Sequence, residues 1–215
     1  MGDKISALLE RASASRAAAE GGGCCDALAR PRPRDRIIAT ARDLFHHQGI
    51  RAVGVEAIAE AAGTNKMTLY RHFGSKDELI VECLRGIAAD SEARWLELEA
   101  VHRGSPRTHL LAWVAEKADY VLNDCRGCTL ANAAVEITEP DHPARRFIEE
   151  CKSAYHDRLV GLCAAAGIAQ SELLADALLL LLEGARVSRQ SGGVESPSAK
   201  FVRTAEAMIE AFAAG

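Results

Sequence analysis

Residues 55–73 read Val55-Glu-Ala-Ile-Ala-Glu-Ala-Ala-Gly63-Thr-Asn-Lys-Met-Thr-Leu-Tyr-Arg-His-Phe73, and this stretch decides the fold. Val55, Ile58, Ala59 and Ala62 recur at the i, i+3, i+4, i+7 spacing of one buried helical face. Gly63 can leave that helix at positive φ, and Thr64 can cap a second helix in which Leu69 and Phe73 read as core. That second helix also carries Lys66, Thr68, Tyr70, Arg71 and His72. Two short helices across a Gly-containing turn, the second rich in phosphate donors, predict a helix-turn-helix. Helix-Gly-helix corners are common in all-α proteins, so the motif alone leaves a plain structural corner open.

Working outward, residues 34–48 form a helix with Ile37, Ile38, Ala41, Leu44 and Phe45 on one side, and Gly49 ends it. Beyond the motif, Ser75 is placed to cap a helix over 76–100, with Glu78 in its first turn. Further helices are expected at 106–123, 130–137, 144–166, 172–190 (capped by Ser171) and 198–213, separated by Pro140, Pro143, Gly167, Gly192, Gly193 and Pro197. No strand pattern and no repeat occurs. The fold class expected is therefore all-α.

Taken together, three blocks resemble the DNA-binding domain of the TetR (tetracycline-repressor) family of bacterial regulators. They are Ile37-Ile-Ala-Thr-Ala-Arg-Asp-Leu-Phe45 with Gly49, Ile58-Ala-Glu-Ala-Ala-Gly63, and Leu69-Tyr-Arg-His-Phe-Gly-Ser-Lys-Asp-Glu-Leu79. The resemblance covers about fifty residues in order. It departs at Gly54, where many members carry Thr or Ser. It implies a three-helix helix-turn-helix domain over 34–80 and a helical effector-binding and dimerisation domain over 81–215, preceded by a flexible tail over 1–33. By this resemblance the DNA-binding residues are Thr64, Asn65, Lys66, Met67, Thr68, Tyr70, His72 and Lys76, with Asn65, Lys66, Met67 and Tyr70 facing bases or the groove and Thr68, Tyr70, His72 and Lys76 meeting phosphates. Arg71 reads equally well as a solvated residue.

The resemblance also implies a homodimer formed by the last two long helices. Leu174, Ala177, Leu178, Leu181, Leu182 and Ala185 form an apolar stripe wide enough for a core or a partner. Two-fold pairing would set two recognition helices one DNA turn apart on a palindromic operator. A small-molecule effector would bind among the body helices, with Trp95, Trp113, Tyr120, Phe147 and Tyr155 as pocket residues, although aromatics bury well in any helical core.

Composition agrees. The chain has 215 residues, 48% hydrophobic and 26% charged, with a net charge of −4. Residues 30–85 hold 10 basic and 7 acidic side chains, so a mildly basic third sits on an acidic body. No apolar run approaches the roughly 20 residues of a membrane span, and the lack of a signal-peptide core predicts a cytoplasmic protein. Arg30-Pro31-Arg32-Pro33-Arg34 is an extended basic linker, open to reading as part of a disordered tail or as an arm along DNA.

Seven cysteines, an odd number, predict reduced thiols. Cys125-Arg-Gly-Cys128 is a lone C-x-x-C without a second pair, so no metal or cofactor is expected. The alternative reading makes Cys125 and Cys128 a thiol or metal sensor on the same DNA-binding regulator. An enzyme finds no support, because no nucleophile-base pair and no phosphate-binding Gly loop is evident.

Overall fold

The computed structural model describes residues 31–124 and 126–214. The expected tail up to residue 30, with Cys24 and Cys25, and also Cys125, lie outside the described residues. Among the described residues there are α-helices and one 3₁₀ turn and no strand. The helices are α1 (Pro33–Gln48), α2 (Val55–Ala61), α3 (Lys66–Phe73), α4 (Lys76–Val101), α5 (Pro106–Asn123), α6 (Thr129–Glu136), α7 (Pro143–Ala165), α8 (Ser171–Gly192) and α9 (Phe201–Ala214). The expected all-α class holds, with boundaries shifted by a residue or two.

Two larger shifts have local causes. Ser171 is the first residue of α8 and Gln170 its N-cap, without a side-chain cap bond. Pro197 starts a short 3₁₀ turn, Pro197–Lys200, so the final helix begins at Phe201 where residue 198 was expected.

The α2–α3 corner is closed by backbone geometry. Gly63 has φ +63°, its N–H bonds the Glu60 carbonyl at 3.0 Å, and the Thr64 N–H bonds the Ala59 carbonyl at 2.9 Å. These are the two bonds of a Schellman stop, which requires a residue at positive φ. From α1, Arg36 donates to the Ala62 carbonyl at 3.2 Å and so holds this corner against the first helix.

Buried residues fall into two clusters. The first joins Ile37, Ala41 and Phe45 of α1 to Ile58 of α2, Leu69 and Phe73 of α3, and Leu79, Ile80 and Leu84 of α4. It also takes in Ala133 and Ile137 at α6 and Ala144 and Ile148 of α7. The second is built from Trp95 of α4, Trp113 and Val121 of α5, Leu159 of α7, Leu174, Leu178 and Leu182 of α8, and Ile209 of α9. α4, 26 residues and about 39 Å long, supplies buried residues to both clusters, as does α7 through Ala144 and Leu159.

Candidate nucleic-acid interface

α3 is fixed from below and open above. Leu69 is 0% exposed and Phe73 is buried, as their spacing predicted. The helix is capped by Asn65, whose side-chain oxygen accepts the Thr68 N–H at 2.9 Å. This corrects the expectation of a Thr64 cap. Thr64 is consumed by the Schellman stop, which leaves Asn65 as the first residue with the extended backbone a cap needs (φ −130°, ψ 164°).

The other predicted residues are distributed unequally. Asn65, Met67, Thr68, Tyr70 and Arg71 line one shallow depression on the surface. Met67 is 79% exposed, an unusual position for a large apolar side chain unless it has a partner. Lys66 Nζ donates to Glu56 at 2.5 Å and lies 5.9 Å from the Tyr70 ring. The hydrogen bond from Lys66 holds the Glu56 carboxyl below its usual range, and Glu56 in turn raises Lys66. His72 and Arg71 are exposed on the last turn. Arg71, left open by the sequence, thus joins the group.

Lys76 stands apart. Its Nζ donates to the Ile50 carbonyl at 2.7 Å, and burial lowers its pKa. In this conformation Lys76 ties the start of α4 to the α1–α2 connector and has that bond to give up before it reaches a phosphate. Ser75 caps α4 as expected, accepting the Glu78 N–H at 3.0 Å.

Sequence reasoning missed a polar seam behind this unit. Arg51 donates to the Glu136 carbonyl at 2.6 Å, to Thr138 Oγ1 at 2.8 Å and to Glu139 at 2.7 Å. His46 is within hydrogen-bond distance of Thr129 Oγ1 (3.0 Å) and Asp124 (3.2 Å), and Arg126 donates to the His46 carbonyl at 2.9 Å. These contacts span more than 75 positions of sequence, so no local spacing signals them.

In the body, the expected pocket residues divide three ways. Trp113 is fully buried and donates to the Tyr155 hydroxyl at 2.7 Å, and Tyr155 packs edge-on to Trp95. Tyr120 lies under Arg94 and Lys117. Phe147 packs against the first core, beneath Arg85. Of the five, only Trp95 lines the open cleft at the far end of the body.

The stripe on α8 also divides. Leu174, Leu178, Leu182 and Ala185 face the protomer's own core and have almost no area left for a partner, while Ala177 and Leu181 are half-buried. The exposed apolar residues of the helix are Leu173 (54%), Leu180 (74%) and Val187 (61%), spaced by seven. A stripe read from one sequence merges these two faces because Leu occupies both.

Among the described residues no group of three or more His, Cys, Asp or Glu is placed to hold a metal ion. No helix of those residues is long and apolar enough to cross a membrane.

Comparison with known proteins agrees with this geometry. Residues 37–83 match the family of bacterial regulatory proteins named for TetR. The HTH-type transcriptional repressor KstR2 of Rhodococcus jostii is 39% identical over 67 residues, 31% of this chain and 33% of that protein. The HTH-type transcriptional activator FasR of Mycolicibacterium smegmatis is 30% identical over 132 residues, 60% of each chain. The match thus spans between a third and 60% of these curated relatives. A TetR-family transcriptional regulator from Streptomyces coelicolor superposes with TM-score 0.76 at 25% identity, over 84% of this chain and 96% of that one. With residues 37–83 matched in sequence and the helical body matched in structure, the chain carries a TetR-family helix-turn-helix domain on a helical body like that of TetR-family regulators.

Proposed function

We propose that this protein is a sequence-specific DNA-binding transcriptional regulator, working as a homodimer on a palindromic operator and released from it by a small-molecule effector. The observation that carries the reading is α3 itself. Its apolar side is locked into a core, and its other side offers Asn65, Met67, Thr68, Tyr70 and Arg71 on one continuous surface. Eight residues of helix are about 12 Å long, which suits the major groove, where Asn and Lys donors and the Met67 side chain can meet base edges and thymine methyls. Residues 34–80 serve as the reader and 81–215 as the body in this proposal. The repressor sense follows KstR2, and the name of FasR makes activation the competing outcome.

Dimerisation is proposed through the outer faces of α7 and α8, where Leu173, Leu180 and Val187 are exposed. A single reader contacts too few bases for specificity, so pairing is part of the function. The test is selection of duplexes from random DNA by the purified protein, followed by salt titration. An enriched inverted repeat, with affinity falling steeply in salt, is the expected result; no enrichment refutes the reading.

One observation bears on the thiol-responsive alternative. Cys128, the N-cap of α6, is half-buried with Lys152 Nζ 3.7 Å from its sulfur, and the same ammonium donates to Glu183 at 2.5 Å. Repeating the selection with and without reductant decides it.

A further inference from the structure

The end of the body farthest along α4 from the reader holds an open cleft of about 790 Å³ between the C-terminal turns of α4, the α4–α5 turn, the start of α5 and the last turns of α7. That volume is within the range of small-molecule sites. Its wall includes Trp95, Glu99, His102, Arg103, His109 and Arg158.

Three features set the chemistry of what fits there. His109 is only 6% exposed, and its Nε2 is buried without a hydrogen-bond partner. A buried polar nitrogen left unpaired is costly, and a ligand that pairs it recovers that cost. The ring is held by Trp95, edge-on with centroids 5.4 Å apart, and by His102, stacked at 6.3 Å. Second, the wall carries two guanidinium groups, Arg103 and Arg158, and the carboxylate of Glu99. Arg158 is satisfied by Glu92 and lies 5.5 Å over the Trp95 ring. Arg103 is exposed with no ion-pair partner among the described residues, and Glu99, one turn earlier, is the one carboxylate on the wall. Third, α5 starts at the cleft with Pro106, and Ser105 gives no side-chain cap bond, so the positive end of that helix is unneutralised. Trp95, Leu96, Leu162 and Ala165 supply the apolar remainder.

We infer that this cleft is the effector site of the regulator, taking an organic monoanion whose carboxylate meets Arg103 and His109 and whose apolar body lies against Trp95. The inference rests on the regulator reading above and adds the place and the class of the effector. Burial, and then the neighbouring His102, lower the pKa of His109, so the ring enters as a neutral N–H donor, and a bound anion would favour its protonation. The ligand would also act on the ends of two helices that reach the reader's core, since Trp95 and Leu79 lie on the same α4 and Leu162 and Ala144 on the same α7.

The test is titration of tryptophan emission in the full-length protein with 4-phenylbutyrate and decanoate, each against its primary amide. Trp95 in the wall makes binding visible. The expected result is a saturable change with each carboxylate, at least about tenfold weaker with the amide and about tenfold weaker in Arg103→Gln, with loss of duplex binding at saturation. Arg103 is exposed, so this variant keeps the fold. Amides that bind as tightly as the acids, an Arg103→Gln protein with wild-type affinity, or no saturable change with either acid would overturn the site. Carboxylate binding that leaves duplex affinity unmoved would overturn its role as effector site. Failure of the ligand-free protein to bind any duplex would refute the regulator reading instead, and the emission titration would still report on the cleft.

Discussion

Replacing Leu180 by Glu separates the two faces of α8 and gives the sharpest test of the proposed dimer. Leu180 is 74% exposed in the protomer, whereas Leu178, two residues away, is 0% exposed. Full burial of a leucine is worth about 1.5–3 kcal/mol, so covering the remaining three-quarters of Leu180 is worth about 1–2 kcal/mol per copy. In a two-fold interface the residue occurs twice, which gives about 2–4 kcal/mol, or about 30- to 1,000-fold in the dimer dissociation constant. A glutamate adds a carboxylate on each side of the axis and pushes the effect to the upper end. Sedimentation equilibrium across a concentration series measures the constant directly. Leu180→Glu should be monomeric at concentrations where the parent is dimeric, and its melting temperature should no longer depend on concentration. Leu178→Ala should lower protomer stability by about 2–5 kcal/mol through the cavity it leaves. A Leu180→Glu protein with the parental dissociation constant would show that this face is not the interface, whatever the fate of Leu178.

Other expectations follow from single contacts. Lys66→Ala should reduce the slope of log affinity against log salt by about 1 if Lys66 meets a phosphate, and Glu56→Gln, which frees Lys66 from its partner, should raise duplex affinity at low salt and lose that gain at high salt. The raised pKa of His156, from hydrogen bonds to Asp157 and then Asp176, means its stabilising contribution is complete below the ordinary histidine value near 6.5 and fades as pH rises through the raised value; thermal melts of the parent and His156→Gln should therefore diverge at acidic pH and converge at alkaline pH. Burial pushes the Cys83 thiol up to about 12 and Cys163 to about 11. Iodoacetamide at pH 8 followed by peptide mass analysis should accordingly label the half-buried Cys128 before either of them, and should reach Cys83 and Cys163 only in denaturant.

How much of this was legible in the sequence depended on the range of the interaction. The α2–α3 corner is local: Gly63 and the apolar residues 58, 59, 62, 69 and 73 fall within one motif, and the structure places each where its spacing put it. The cap moved by one residue because Thr64 and Asn65 are both good cap formers, and only the hydrogen bonds closing α2 decide between them. On α8, periodicity correctly marked an apolar helix but could not rank its faces, since Leu180 and Leu178 are the same residue type in opposite surroundings. Phe147 shows the same limit. It is an aromatic on a body helix, yet it packs against the core of the reader, because the start of α7 returns to that end of the molecule.

The seam that sequence could not show also bears on how a distant ligand would act. The reader is not joined to the body through α4 alone. Glu136 carboxylate oxygens lie where a Cβ on Gly49 would approach to 3.0 Å, and the same carboxylate accepts the Arg51 N–H at 3.0 Å. With the side-chain bonds from Arg51 and the His46 contacts to Thr129 and Asp124, the α1–α2 side of the reader is fastened to α6. A rotation of α4 therefore either carries α6 with it or breaks these bonds, and the two possibilities differ in consequence. If α6 moves with α4, removing the Arg51 side chain weakens the transmission of the ligand signal to DNA. If the seam holds the DNA-competent position instead, Arg51→Ala releases the reader without ligand and lowers duplex affinity in the ligand-free protein. The bonds from Arg51 end on a main-chain carbonyl, a threonine hydroxyl and a carboxylate of one short segment, 136–139. Contacts of that kind hold a position more readily than they transmit a graded movement, because an interface this polar has few intermediate arrangements in which every donor stays paired. The second outcome is the one this geometry favours, and duplex affinity of Arg51→Ala in the absence of any ligand distinguishes it from the first.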